Sequence, residues 1–305
     1  MQSLKLNYSK FFPGLDKKPD SYRHLADTYE WAQREVGQHA ERYRYDDFNA
    51  EYLRDLLGTG SSKLVVECGC GLGGNSLPYA QQHRCIGVDF SGVALKKIRL
   101  YTSDMAVALG DISTIPLKDA CADFVILARV LFVHEDLDFI VSILREARRI
   151  LKPEGKIIFI NDYSSVGVRV FNGMNQFFSY AVNALLRRES VDEFIVYYFS
   201  EADMNLLLSR AGLRLIDSRL CNVHIGVYHL TYHSAILALL LRDNWRHYRI
   251  RRKDHWERVR DSNNVNDVYP LSAVGRLFKY LVERFWPSLA ALSLAGVACR
   301  DMQPQ

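Results

Sequence analysis

One eleven-residue stretch constrains this chain more than any other: Val65-Val66-Glu67-Cys68-Gly69-Cys70-Gly71-Leu72-Gly73-Gly74-Asn75. Leu64-Val65-Val66 is a β-branched run that reads as a strand. A carboxylate closes it, and glycines follow Glu67 two, four, six and seven positions on. Glycines let a backbone turn sharply and approach a ligand with no Cβ in the way. Gly69-x-Gly71-x-x-Gly74 also fits the dinucleotide fingerprint, so the glycines alone leave the ligand open. Glu67 narrows the choice. A carboxylate aimed into that turn repels a pyrophosphate and attracts an ammonium group.

After this turn, strand and helix signals alternate. Cys85-Ile86-Gly87-Val88, Met105 to Leu109, Ala122 to Leu127 and Lys156 to Ile160 read as strands. Ala94, Leu95 and Ile98 mark one intervening helix. Leu137, Ile140, Val141, Leu144, Ala147 and Leu151 form the stripe of another, with Lys152-Pro153-Glu154-Gly155 expected to end it. Nearly continuous apolar strands separated by helices predict a parallel sheet covered on both faces. Ligands of such sheets lie beyond the carboxyl ends of the strands, where strand order reverses.

Two more acids fall at strand ends. Asp89 closes the second strand, twenty positions after Gly69, where a carboxylate can accept hydrogen bonds from ribose hydroxyls. Asp111 follows the third strand, and beside it Ile112 can cover an adenine ring whose amine the acid accepts. Any one of these acids could instead cap a helix or sit solvated in a loop. Three at successive strand ends favour a bound nucleoside.

On these residues the chain resembles the class I S-adenosylmethionine-dependent methyltransferases, most closely the branch of ubiquinone/menaquinone-type and other small-molecule enzymes. The resemblance covers roughly residues 60–165, and more weakly 200–222 and 285–301. It implies an α/β, Rossmann-like, doubly wound seven-stranded sheet and S-adenosyl-L-methionine as cofactor, leaving S-adenosyl-L-homocysteine as product. It also implies roles. Glu67, Gly69, Gly71 and Gly73 wrap the methionine end, Asp89 holds the ribose, and Asp111 with Ile112 holds the adenine. Cys70, Asn75, Phe90, Ala128 and Arg129 flank these as further cofactor-binding candidates. Ala26-Asp27-Thr28-Tyr29 resembles a segment whose tyrosine closes over the cofactor, which adds Tyr29. Leu151-Lys152-Pro153-Glu154-Gly155-Lys156 matches the turn before strand five. Glu67 stands where aspartate is commoner in the family.

Methyl transfer from a sulfonium is an in-line displacement. Holding the nucleophile in line with sulfur is worth up to roughly 7–11 kcal/mol, and a general base about 10²–10⁴-fold when the acceptor is a hydroxyl. Beyond strands four and five, His134, Asp162 and Tyr163 are the candidates to touch acceptor or move a proton. His134 could equally fix its loop by hydrogen bonding. The expected acceptor is a small molecule presenting oxygen or nitrogen: a natural-product, sugar or lipid-linked intermediate, anionic or otherwise.

Around the core, residues 1–60 read as a mostly helical lid, with apolar spacing from His24 to Trp31 and from Tyr52 to Leu57. Residues 61–165 are the cofactor core and 166–199 a cap segment. Residues 200–222 and 285–301 complete the sheet, with Ser200 as helix N-cap and strands at Leu213 to Leu220 and Leu292 to Ala298. Residues 223–284 read as an inserted helical cap. Tyr197, Tyr198, Phe199, His224, Tyr228, His229, Tyr232 and His233 predict an aromatic, histidine-rich cap.

Residues 242–260 hold eight Lys or Arg against three Asp or Glu, interleaved with Trp245, Tyr248 and Trp256. The segment is a solvated helix, a membrane-surface contact together with Ala235 to Leu241, a grip on an anionic acceptor, or an RNA-binding patch. RNA is the least favoured of these, with no RNA-binding module recognisable. Three other functions follow as alternatives: a tRNA or other RNA methyltransferase using 242–260, a non-catalytic S-adenosylmethionine-binding regulatory partner, and, more remotely, an oxidoreductase.

Hydrophobic residues are 49% and charged residues 24% of the chain, which excludes a disordered or collagen-like class. Net charge is only +4. Cys68 and Cys70 are followed by no His or Cys at a zinc-ligand spacing, so no metal site is expected. The N-terminus does not read as a secretory signal, and no apolar run reaches the roughly 20 residues of a membrane span. A cytoplasmic enzyme, with peripheral membrane contact through 235–260 as an option, is the expectation.

Overall fold

The computed structural model describes residues 2–7, 47–58, 60, 62–131, 137–163, 165, 193–223, 227, 271, 273–291 and 293–301. Seven strands form one sheet: β2 (Leu64–Cys68), β3 (Arg84–Asp89), β4 (Met105–Leu109), β5 (Ala122–Ala128), β6 (Leu151–Asp162), β8 (Leu213–Cys221) and β9 (Ser293–Arg300). Their order is β4-β3-β2-β5-β6-β9-β8. The five strands from β2 to β6 run parallel, and β9 alone runs against its neighbours β6 and β8. It enters from the carboxyl end of the sheet, with Ser293 paired to Asp162, so it must run back through it. The sheet is therefore mixed rather than purely parallel.

Strand alternation sorts the core into two layers. Ile86, Val66, Val125, Ile157 and Ala298 lie in one cross-strand row. They pack under α3 (Leu137–Ile150) and α4 (Glu201–Arg210). Val65, Cys85, Ile126, Ile158 and Val297 face the other way, under α1 (Asp47–Leu57) and α2 (Gly92–Tyr101). Tyr52 and Leu53 of α1 are buried there, and Arg219 of β8 lies 5.4 Å from the Tyr52 ring centroid. Ser200 caps α4 with a reciprocal box. Its hydroxyl accepts from the Asp203 amide at 3.2 Å, and the Asp203 carboxylate accepts from the Ser200 amide at 3.0 Å.

Three local expectations are corrected. Gln2–Asn7, inside the segment expected to be helical, is strand β1, paired antiparallel with β7 (Glu193–Tyr198) in a separate two-stranded sheet. Tyr197 and Tyr198 thus belong to a strand, and Phe199 to the main core, rather than to an aromatic cap. Lys152-Pro153-Glu154-Gly155 lies within β6, and Leu151 is its first residue rather than the last of the helical stripe. A register shift between Ala122 and Phe124 absorbs the irregularity. Gly155 makes room for it, since a Cβ there would lie 2.7 Å from Leu151 Cδ1.

At the carboxyl end, on the β6-β9-β8 side, a third cluster joins Val223, Val227, Leu271, Val282, Ala290 and Ala291. It unites α5 (Ala273–Phe285) and α6 (Pro287–Ala290) with the ends of the strands. The rest of the expected cap, including residues 228–270 with the 242–260 segment, lies outside the described residues. No helix among the described residues is long and apolar enough to cross a membrane.

Candidate active site

Strand order reverses between β2 and β5, and the glycine turn leaves the sheet at that point. Gly69, Gly71 and Gly73 all have positive φ, at 69°, 51° and 77°. At Gly69 a side chain is excluded twice over: the conformation disfavours one, and a Cβ would fall 2.3 Å from Cγ1 of Val130, just after β5. The two loops flanking the switch point thus touch. Arg129, also at positive φ (57°), donates its amide to the Ile160 carbonyl at 2.7 Å and ties the β5 loop to β6.

The acids at the strand ends hold the turn itself. Glu67 is 1% exposed. It accepts from Asn75 Nδ2 at 2.9 Å, from the Ser76 amide at 3.0 Å and from the Ser76 hydroxyl. Burial pushes its carboxyl up to about 7 against these hydrogen bonds, which pull it down. Asp89, 3% exposed, accepts from the Gly71 amide at 2.7 Å and the Ser91 amide at 2.8 Å. The Ser91 hydroxyl in turn caps α2 by accepting from the Ala94 amide. One acid therefore fastens the far end of the glycine turn and the other its middle.

Asp111 accepts from the Ser113 amide at 2.7 Å and its hydroxyl at 2.8 Å, closing a tight turn after β4. Ile112 is buried in the main core. Cys70 turns its sulfur toward β3, where a Cβ on Gly87 would lie 2.6 Å away. Burial pushes the thiols of Cys68 and Cys70 far up and that of Cys85 up to about 12, so none is poised as a thiolate. Among the described residues no group of His, Cys, Asp and Glu could hold a metal.

Phe90 and Ala128 sit half-buried beside these loops, at the ends of β3 and β5. Asp162 closes β6, paired with Ser293, and Tyr163 follows in a single bridge to Phe199. Tyr163 packs against both the main core and the third cluster. His134 and Tyr29 lie outside the described residues. Four residues the sequence reading passed over belong here. Ser76 and Ser91 supply the donors to Glu67 and Asp89, and Val130 closes on Gly69. Asn161 is fully buried, its Oδ1 without a hydrogen-bond partner among the described residues. Only Ser91 left a signal, as a serine directly before a helix.

Comparison with known proteins agrees with this geometry. Residues 66–159 match the family model described as a methyltransferase domain. The tRNA N(3)-cytidine methyltransferase METTL2 of Gallus gallus is 28% identical over 187 residues, covering 54% of this chain and 48% of that protein. The chain spans less than half the length of the curated relatives it matches. Among solved structures, a chain from the complex of the Haloferax volcanii Trm112 methyltransferase activator with a methyltransferase has a TM-score of 0.51. It is 18% identical, covering 90% of this chain and 96% of that one. The [4+2]-cyclase SpnF has a TM-score of 0.53 at 12% identity, covering 92% of this chain and 97% of its own. At such identities these two share the fold, and a fold by itself carries no reaction.

Proposed function

Since residues 66–159 form a class I S-adenosylmethionine-dependent methyltransferase domain, we propose that the whole chain methylates oxygen or nitrogen of a small-molecule acceptor. The natural-product, sugar and lipid-linked classes are the ones to screen. The observation that supports this reading is the third apolar cluster, which packs α5 and α6 at the carboxyl ends of β6 and β8, on the β5 side of the switch point. A cap there suits an acceptor that is enclosed.

The residues present fit the cofactor. Three glycines at positive φ make a tight turn without side chains at the switch point, and Asp89 and Glu67 set the shape of that backbone with their own oxygens. When bound, the cofactor supplies a methyl group already activated by the sulfonium. The chain's share of the work is to hold the acceptor in line with that methyl and to keep water out. We assign Gly69 to Gly73 to the methionine end and Asp111 to the adenine side. Asp89 is assigned to the ribose side, where its two oxygens each accept one backbone amide and so fix the loops on either side of it. His134, Asp162 and Tyr163 remain the candidates on the acceptor side.

The likeness to a tRNA methyltransferase favours a second reading, in which RNA is the acceptor and the basic 242–260 segment pairs its phosphates. Incubation with S-adenosylmethionine labelled in the methyl group, alongside a small-molecule extract and total tRNA in separate reactions, decides between them. Label in the small-molecule fraction is the expected result. Label in tRNA overturns the acceptor assignment. Tight S-adenosylhomocysteine binding with no transfer to either overturns the enzyme reading in favour of a regulatory partner.

A further inference from the structure

Helix α5 presents apolar residues both toward the protein and toward solvent. Phe278 and Val282 pack inward with Val223, Val227 and Leu271. Outward stand Leu277 at 60% exposure, Tyr280 at 61%, Leu281 at 40% and Phe285 at 59%, with Trp286 at 65% just past the helix end. Leu277, Tyr280 and Leu281 are spaced three and four apart and form one stripe. The Phe285 and Trp286 rings lie 6.1 Å apart and extend it. One exposed leucine needs no explanation, whereas a contiguous patch of five large apolar side chains does.

The charges in and around the stripe indicate what covers it. Arg284, also exposed, follows Tyr280 by four and Leu281 by three, so it rises within the apolar face itself. Arg276 is exposed on its flank. Lys279 is paired with Glu283 at 3.5 Å, which leaves the two arginines to carry the balance of charge. A wholly apolar protein groove would bury Arg284 without a counter-charge. A second copy docked through the same face would set these arginines against each other across the symmetry axis. The headgroup layer of an anionic bilayer meets both demands: phosphates for the arginines, and an amphipathic boundary where Tyr, Phe and Trp rings settle.

We propose that the outer face of α5, with Trp286, docks this protein onto an anionic lipid surface. The docked face and the cluster containing Tyr163 share helix α5, so docking brings the carboxyl end of the sheet toward the bilayer. The proposal does not depend on methyl transfer. It is tested by sedimenting the full chain with phosphatidylcholine vesicles and with equimolar phosphatidylcholine–phosphatidylserine vesicles, at low and high salt. Binding to the mixed vesicles only, weakened by salt, is expected, and so is a loss of about tenfold or more in partitioning for Leu277→Glu/Leu281→Glu/Trp286→Ser. Unchanged binding of S-adenosylhomocysteine reports that this variant is folded. Should it fail to fold, Arg276→Glu/Arg284→Glu replaces it, with the same loss expected. Failure of the wild-type chain to bind mixed vesicles overturns the proposal. So does binding by the folded variant at the wild-type level, which would move the contact to another segment. A lipid-free dimer that Leu277→Glu dissolves overturns it in favour of a second copy.

Discussion

Replacing Glu67 with glutamine tests whether this acid is a structural anchor of the glycine turn. Its carboxyl is raised from an ordinary 4.5 to about 7 by burial, while Asn75 and Ser76 donate to it. An unfolded chain ionises this group above 4.5, whereas the native chain keeps it protonated until about 7. Over that window the unfolded state binds fewer protons than the native one, so stability falls as pH rises. The contribution is whole below 4.5 and gone once the native carboxyl has ionised. At 1.36 kcal/mol per pH unit, the rise from 4.5 to about 7 is worth about 3 kcal/mol. Glu67→Gln has the same shape and does not titrate, and Asn75 can turn its amide to meet the new donor. Urea unfolding of both proteins across this range should show the wild type losing about 3 kcal/mol relative to the variant from acid to neutral pH, with m unchanged. A flat difference would refute the reasoning, because Glu67 would then titrate alike in the folded and unfolded chains.

Three further outcomes follow, two from the same loops and one from a helix cap. Gly69→Ala combines a left-handed conformation, costing about 1–2 kcal/mol, with a clash on Val130 costing about 1–3 kcal/mol. Added Val130→Ala should restore part of that loss in a denaturation double-mutant cycle, whereas strict additivity would deny the contact. Asp89→Ala removes the acceptor of two backbone amides, at about 1–3 kcal/mol each. Calorimetry should then show S-adenosylhomocysteine affinity down by more than tenfold, and wild-type affinity would rule out a role for this acid in shaping the loop. Ser200→Ala should cost about 1 kcal/mol by loss of the α4 cap, read as a drop in Tm.

Much of the fold was legible because local pattern and tertiary role coincide. Leu64 to Asn75 reads as strand then turn, since β-branched residues favour the strand and glycine takes the left-handed positions 69, 71 and 73 without steric cost. Ser200 with Asp203 announces a helix start by local hydrogen bonding alone. Gln2–Asn7 offered no such signal. Its short polar-apolar alternation becomes a strand only because Glu193–Tyr198, almost the whole core away in sequence, supplies the ladder.

The same division runs through the site. The spacing of Glu67, Asp89 and Asp111 along the chain determined that three acids would stand at the carboxyl ends of successive strands. Which way each carboxylate points was left to the folded chain. Glu67 alternates with Val66 across the sheet, so its side chain enters the layer where the chain returns through Asn75 and Ser76, and Asp89 meets the amide of Gly71 rather than open solvent. A pleated strand assigns faces by parity, but what waits on each face comes from distant segments. A sequence therefore names the residues of this site, and only the packing of those segments decides which of them hold the loop and which are left to a ligand.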